Sequence, residues 1–259
     1  QVKNLTKQKI LVAMSGGVDS SVTAALLMQQ GHNIEGATIE MWRSDDPLFT
    51  GNSAPCSSSA VKDAQRVAKT LGITHHVIDF SEEFLAKVVD NFVEEYLQGR
   101  TPNPCVVCNR EIKFGAFLEA ADAVGADLVA TGHYARITFD DSSGRYLLKK
   151  AKDAAKDQSY VLYSLSQEQL SRAIFPLGDF SKAEIRQLAL DFDLPVAYKE
   201  ESQDICFIPD NDYRRFLTQK TGKDIVPGPF LDTDGNVIGQ HKGIPFYTVG
   251  QRKGLGLAL

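Results

Sequence analysis

Short apolar runs alternate with helical patterns along the first half of the chain. Four buried strands are predicted by the mainly apolar runs at 10–14, 34–39, 77–80 and 126–131. The helices between them are predicted by apolar residues at helical spacing around Val18, Val61, Phe84 and Ile112. This alternation is typical of an α/β protein with a doubly wound parallel sheet.

The pattern changes after Tyr134, where smaller elements are predicted. Residues 136–139 and 146–149 flank Asp-Ser-Ser-Gly, which predicts a β-hairpin. Ser166 and Ser181 each precede a Gln or Glu three positions later, the capping-box signature of a helix start.

The composition changes again near Ile208, beyond which Pro, Gly and Asp become frequent. A chain of 259 residues is long enough for one large domain or two smaller ones. We therefore predict a main domain over 1–208 and a smaller strand-rich domain over 209–259, which we expect to be incomplete.

Charge and cysteine content narrow the class of protein. The 28 Lys and Arg against 33 Asp and Glu give a net charge of −5, which disfavours a uniformly basic nucleic-acid protein but allows a local basic face. No apolar run approaches the roughly 18 residues of a membrane span, and the first nine residues do not form a signal peptide. We therefore expect a cytoplasmic protein without a membrane partner, in which four cysteines are too few for a disulfide scaffold.

A glycine-containing string lies between the first predicted strand and the first helix. Residues 15–21 read Ser-Gly-Gly-Val-Asp-Ser-Ser, so that backbone N–H groups and a helix N-terminus form an anion cradle. The string lacks the Gly-Lys-Ser/Thr ending of a Walker A loop and is not the dinucleotide Gly-x-Gly-x-x-Gly. An ordinary tight turn would explain two glycines, but the whole string favours phosphate binding.

Cysteines and one histidine supply further candidate chemistry. Cys105 and Cys108 form a Cys-x-x-Cys pair, and Cys108 near a predicted helix start should have a lowered thiol pKa. No second such pair completes a zinc site. Taken alone, Cys56 and Cys206 are typical of small buried residues. His133 follows the fourth strand, at the sheet edge where ligands bind in this class of fold.

Together the motifs resemble the bacterial and organellar tRNA-specific 2-thiouridylases, which are PP-loop ATP pyrophosphatases with an adenine nucleotide alpha hydrolase-like fold. The similarity runs from Lys9 to about Leu257 and rests on S-G-G-V-D-S-S, T-P-N-P-x-x-x-C-N, A-T-G-H-Y, K-D-Q-S-Y, I-C-F-I and G-Q-R-K-G-L-G. The resemblance makes 1–208 the ATP-binding catalytic domain. It implies that ATP is held by Ala13, Met14, Ser15, Gly16, Gly17, Val18, Asp19, Ser20, Ile39 and Gly132. It also implies that tRNA contacts Asn103, Pro104, Cys105, His133, Lys156, Asp157 and Gln158.

The resemblance also implies a two-stage reaction. ATP adenylates the 2-carbonyl of the wobble uridine of tRNA, and a persulfide on Cys206 then supplies sulfur with Cys108 as the nucleophile. We expect magnesium to accompany ATP, because pyrophosphate charge must be neutralised. A cysteine desulfurase or a sulfur relay protein is the expected partner that loads Cys206.

Two departures from the family pattern change these expectations. Cys105 stands where the family often has Asp, so Cys105, Cys108 and Cys206 become candidate ligands of an iron–sulfur cluster. The alternative is a redox pair of Cys108 and Cys206 without a cluster. The chain also ends before the C-terminal β-barrel of the family, so we expect weak tRNA binding.

Two other functions remain open from the sequence. One is a PP-loop synthetase or amidotransferase that acts on a small metabolite, which needs no cysteine pair. The other is a nucleotide- or tRNA-binding module without catalysis. ATP turnover to AMP on addition of tRNA separates the second from an enzyme.

Overall fold

The computed structural model describes residues 7–42, 58–200, 205–208, 210–222 and 225–257. Its strands are β1 (Lys9–Ala13), β2 (Asn33–Glu40), β3 (His75–Asp79), β4 (Leu128–Ala130), β5 (Ala135–Asp140), β6 (Arg145–Lys150), β7 (Ala173–Ile174), β8 (Gly228–Leu231) and β9 (Val237–His241). A parallel sheet in the order β3-β2-β1-β4-β7 forms the centre. The predicted hairpin is confirmed as β5–β6, and β8–β9 form a second one.

Helices connect the strands and cover the sheet. They are α1 (Val18–Gln29), α2 (Ser58–Leu71), α3 (Ser81–Phe84), α4 (Asp90–Leu97), α5 (Pro104–Cys108), α6 (Phe117–Ala123), α7 (Gln167–Ser171), α8 (Lys182–Asp191) and α9 (Tyr213–Thr221). Two π-helical segments, Leu85–Val89 and Asn109–Ala116, join α3 to α4 and α5 to α6. Both predicted capping boxes are confirmed, at the starts of α7 and α8.

The sheet is covered on both faces, as the doubly wound prediction requires. Leu11 of β1 lies in one apolar cluster, whereas its neighbours Ile10 and Val12 lie in the other. Because successive strand side chains point to opposite faces, the two clusters are the two layers between sheet and helices.

The predicted boundaries of the first two strands differ from the observed ones by one residue at each end, and those of the third and fourth strands differ more. The fourth strand is limited to Leu128–Ala130, because the N–H of Ala126 still bonds the carbonyl of Ala121 at the end of the preceding helix. The third strand ends at Asp79, because Phe80 already caps the next helix. Within the described ranges, no helix combines the length and the apolar character needed to cross a membrane.

The strand order sets the place of a ligand crevice. β2 and β4 lie on opposite sides of β1, so the connection after β1 leads towards β2 on one side and the connection after β4 leads towards β7 on the other. In doubly wound sheets ligands bind at this switch point. The loop after β1 and the residues that follow β4 meet there.

Candidate active site

The loop between β1 and α1 is held in shape by its own hydroxyl groups. The N–H of Ser15 donates to Oγ of Ser20 at 3.1 Å, and Oγ of Ser21 donates to the Gly17 carbonyl at 2.7 Å. Ser21 is fully buried, so its hydroxyl stabilises the loop and does not face a ligand. Oγ of Ser15 also lies 3.3 Å from Oγ of Ser20, so the donors that the loop offers to a ligand are mainly backbone N–H groups.

Two glycines are required by close approaches of the backbone. Gly16 has φ +69°, and a Cβ there would lie 2.3 Å from the carbonyl oxygen of Ala60. A Cβ on Gly132 would lie 2.9 Å from the backbone N of Ser20. These glycines let α2 and the residues after β4 approach the loop.

Asp19 is held by two residues that sequence reasoning missed. Its Oδ1 accepts hydrogen bonds from Lys182 Nζ at 2.7 Å and from the Tyr134 hydroxyl at 2.9 Å, and its Oδ2 lies 2.9 Å from the same Nζ. Lys199 holds the loop from another side, donating to the Gly16 carbonyl at 3.0 Å. The capping box at Ser181 was the one sequence signal near Lys182, and it indicated a helix start only.

A cleft of about 210 Å³ opens at the carboxyl ends of β1, β2 and β4. It is lined by Ala13, Met14, Ser15, Asp19, Ser20, Ile39, Met41, Lys113, Thr131, Gly132, His133 and Gln158. Most of the residues proposed for ATP are in this set, but Gly16, Gly17 and Val18 are not. Val18 packs in one apolar layer, and Gly17 is the N-cap of α1.

The residues expected to meet tRNA divide into two groups. His133 and Gln158 line the cleft, and the Gln158 side chain accepts a hydrogen bond from the N–H of Tyr134 at 3.0 Å. The rest, Asn103, Pro104, Cys105, Lys156 and Asp157, do not line it.

Two of the outer residues have structural contacts. Asn103 caps α5 through the N–H of Cys105, and Asp157 accepts from the N–H of Ala151 and the hydroxyl of Ser159, both at 2.8 Å. These side chains therefore shape the segments beside the cleft.

His133 is a neutral hydrogen-bonding group in this structure. Burial lowers its pKa well below the usual value, and the positive charge of Lys113 lowers it further. Its Nδ1 lies 2.7 Å from the Thr131 hydroxyl. The ring therefore offers a polar, uncharged edge to the cleft.

The three described cysteines differ in environment. Cys105 is exposed, Cys206 is half-buried and Cys108 is buried, and none of these three forms a disulfide. Burial raises the pKa of the Cys108 thiol to about 11, which Lys113 opposes. The predicted lowering by a helix dipole was therefore wrong, because desolvation of the thiolate dominates. Cys56 lies outside the described residues.

The thiols do not form a metal site in this arrangement. Among the described residues, no three His, Cys, Asp or Glu side chains group closely enough to hold a metal ion. Cys108 lies in an apolar layer against which Cys206 packs, whereas Cys105 faces solvent. The candidate iron–sulfur ligand set does not fit this structure.

The parallel sheet and the serine–glycine loop over its switch-point cleft define an α/β nucleotide-binding protein of the PP-loop class. Family models match over residues 8–210, described as the tRNA methyl transferase HUP domain, and over 214–259, described as the tRNA methyl transferase PRC-barrel domain. The chain belongs to the family of the tRNA-specific 2-thiouridylases, as the resemblance of its motifs had predicted.

Curated relatives carry the name tRNA-specific 2-thiouridylase MnmA. The protein from Moorella thermoacetica is 54% identical over 249 residues, which are 96% of this chain and 70% of the relative. The protein from Heliobacterium modesticaldum is 56% identical over 253 residues, 97% of this chain and 66% of the relative.

Solved structures give weaker likenesses. A 4-thiouridine synthetase in complex with RNA and ATP has a TM-score of 0.49 at 18% identity, covering 83% of this chain and 50% of that one. The U34-tRNA thiolase NcsA from Methanococcus maripaludis, with its [4Fe-4S] cluster, has a TM-score of 0.48 at 21% identity, covering 84% and 66%. The family assignment rests on the sequence matches alone.

Proposed function

We propose that this chain catalyses the ATP-dependent 2-thiolation of a uridine in tRNA, with the wobble uridine as the acceptor. One observation carries the proposal. The cleft that the phosphate cradle opens into is also lined by Lys113, which follows Cys108 in the same continuous helical run. One helical run thus connects the cleft to the Cys108 thiol. The names of the relatives support thiolation as the reaction.

The first stage is activation of the uridine. Backbone N–H groups of the loop from Ser15 to Ser20 would bind the pyrophosphate portion of ATP at the N-terminus of α1. The uridine O2 attacks the α-phosphorus, the O2–P bond forms, and pyrophosphate leaves. The O2 atom, a poor leaving group by itself, can then depart with AMP.

Magnesium would accompany the phosphates. Asp19 is the carboxylate among the cleft-lining residues, and it already accepts hydrogen bonds from Lys182 and Tyr134. Mg²⁺ is commonly held by phosphate oxygens and water with one or two carboxylates. We propose that Asp19 would be the protein residue that holds the ion, whose positive charge would offset the negative charge of the pyrophosphate.

The second stage transfers sulfur from a persulfide on Cys206. In one route the terminal sulfur attacks C2, AMP leaves, and Cys108 attacks the Cys206 sulfur to release the thiocarbonyl. In the other, Cys108 attacks first and frees hydrosulfide, which then attacks C2. Both routes leave a Cys108–Cys206 disulfide, which an external dithiol must reduce.

The thiol environments favour this persulfide chemistry over cluster-bound sulfide, because the three thiols do not form a ligand group. A cysteine desulfurase or a relay protein would load Cys206, which is half-buried and not fully enclosed. We propose the cytoplasm as the compartment, since free thiols persist under reducing conditions.

The test is nucleoside analysis of tRNA after incubation with ATP and a persulfide donor. Wild type should form 2-thiouridine and AMP, whereas Cys206→Ser should form AMP without 2-thiouridine. Cys56→Ser is the matched control, because no motif of the family resemblance places that thiol in the chemistry. Undiminished thiolation by Cys206→Ser would overturn the sulfur path, and AMP formation that requires a small metabolite in place of tRNA would favour a synthetase.

A further inference from the structure

Lys113 is a cation in the wall of the cleft, and no carboxylate among the described residues forms an ion pair with it. It lies half-buried in the π-helical segment Asn109–Ala116 and lines the same cavity as Ser15 and Asp19. In the part of the chain that the structure describes, its ammonium makes neither a hydrogen bond nor an ion pair. A half-buried charge without a partner loses hydration and gains nothing in exchange.

The other lysines at the loop behave differently. Lys182 lies 2.7 Å from Asp19, and Lys199 lies 2.7 Å from Asp63. Both charges are therefore used within the protein, where they hold the loop. Lys113 remains available for a negative group that enters the cleft.

The π-helical backbone brings Lys113 towards the side of Cys108. In a regular α-helix, residues five apart point in directions about 140° apart. A π-helix closes its turn between residues five apart, so this separation becomes small. Consistent with this, the positive charge of Lys113 acts on both Cys108 and His133. Lys113 thus lines the cleft and is near enough for its charge to act on the thiol.

We propose that Lys113 is a catalytic residue whose ammonium binds a non-bridging oxygen of the α-phosphoryl group, first in ATP and then in the adenylated uridine. This inference rests on the proposed function. The loop donors at the N-terminus of α1 take the pyrophosphate. Lys113 comes from a different element, beside the thiol that must reach C2, so the phosphoryl group it meets is the one bonded to the acceptor.

The ammonium would act in both stages without giving up its proton. During activation the O2–P bond forms and the bond from phosphorus to pyrophosphate breaks. During sulfur transfer the C2–S bond forms and the C2–O2 bond breaks, with the electron pair leaving on AMP. A fixed cation at the phosphoryl oxygens stabilises the charge in each transition state.

The test compares Lys113→Met and Lys113→Arg with Lys87→Met. Lys87 lies exposed in the other π-helical segment and outside the cleft lining, so it controls for removing a lysine from such a segment. Calorimetry should show AMP binding weakened about 10- to 100-fold in Lys113→Met and partly restored in Lys113→Arg. Pyrophosphate binding should be unchanged in all three. The rate of AMP formation with tRNA should fall about 100-fold or more in Lys113→Met.

Other results would contradict either the role of Lys113 or the proposed function. Equal AMP affinity in Lys113→Met and wild type overturns the inference, as does a loss of pyrophosphate affinity without a loss of AMP affinity. Thermal unfolding without ligand should show Lys113→Met to be as stable as wild type, and a large loss of stability would make the residue structural. If wild type binds AMP through Lys113 but forms no 2-thiouridine, the proposed function fails while the phosphoryl contact stands.

Discussion

The Cys108 thiol lies in the same apolar layer as Ile112 and Phe114, and this environment determines its reactivity. Burial raises its pKa to about 11, so the thiol is protonated at neutral pH. The nucleophile of the proposed sulfur step is therefore protected in this structure. Binding of the tRNA or of the persulfide must expose or deprotonate it before it can attack.

Alkylation should reveal the order of thiol reactivity. At pH 8 iodoacetamide should modify exposed Cys105 first and Cys108 last, and the rate at Cys108 should rise with pH towards about 11. Peptide mass spectrometry measures the order. Labelling of Cys108 as fast as Cys105 in the folded protein would contradict the burial.

The raised pKa of Cys108 also predicts how the free energy of unfolding changes with pH. Because the pKa of Cys108 is raised from 9.0 to about 11 on folding, the native state keeps its proton where the unfolded state has lost it. This contribution to the free energy of unfolding is complete below about pH 9 and is lost as the pH rises through about 11.

The ion pair of Asp19 with Lys182 joins the loop to α8 at the residue scale. Asp19→Ala should abolish AMP formation, and it should also destabilise the fold by about 1–3 kcal/mol, because Lys182, with a side chain 12% exposed, loses this ion pair. With wild type and Lys182→Met as the other proteins of the set, the double variant Asp19→Ala/Lys182→Met should recover most of the stability and none of the activity. Urea unfolding of the four proteins completes the double-mutant cycle. Additive losses would mean that the pair does not couple.

Among the elements, the π-helical segments are the features that periodicity could not locate. The apolar residues around Phe84 and Ile112 predicted ordinary helices, and helices were found there. A π-helical segment changes the direction in which the following side chains point, although apolar side chains still pack on the core. Helical spacing in the sequence therefore did not indicate that Lys113 lines the cleft.

The loop at the start of α1 allows a comparison of neighbouring glycines. Gly16→Ala should destabilise the protein by about 2–4 kcal/mol, because it combines φ +69° with a Cβ 2.3 Å from the Ala60 carbonyl oxygen. Gly17→Ala is the matched control, since Gly17 has φ −98° and a Cβ there would lie 3.5 Å from Ser15 Oγ. It should cost less than about 1 kcal/mol. Urea midpoints measure both, and equal losses would refute the close approach of α2.

At the scale of the whole molecule, aromatic rings connect the segment carrying Cys206 to the main core. Phe207 lies 5.7 Å from Phe84, 5.3 Å from Phe92 and 5.3 Å from Phe216 of α9, measured between ring centroids. Phe207 packs edge-on against Phe84 and Phe92 and at a tilt against Phe216, and this packing joins α9 to the helices over the sheet. The position of Cys206 thus depends on a core that forms only when distant parts of the chain fold together.

Removing the Phe207 ring should destabilise the fold and make Cys206 more accessible. Phe207→Ala should lower the free energy of unfolding by about 3–5 kcal/mol, because the side chain is almost fully buried. In the folded variant, Cys206 should also be alkylated faster. Phe139→Ala, which removes a ring 40% exposed on the β5–β6 hairpin, should cost about 1 kcal/mol or less. Similar losses in the two variants would contradict the central role of Phe207.

Local patterns in the sequence determined the architecture and the nature of the nucleotide loop. Apolar runs and helical spacing depend on near neighbours, so they predicted the parallel sheet, the β5–β6 hairpin and the capping boxes at Ser166 and Ser181. The string from Ser15 to Ser21 likewise indicated a phosphate cradle, because its glycines and helix start act through their own backbone.

Only the tertiary structure decided how the surroundings modify these groups. The pairing of Asp19 with Lys182 and the burial of Cys108 join parts of the chain that are far apart in sequence. Charge partners and desolvation depend on which side chains share a volume, and no spacing along the chain records that. Residue types therefore indicated candidate groups for the chemistry, and these stay predictions, while the ionisation of Cys108 and His133, the exposure of the thiols and the place of Lys113 in the cleft followed from packing.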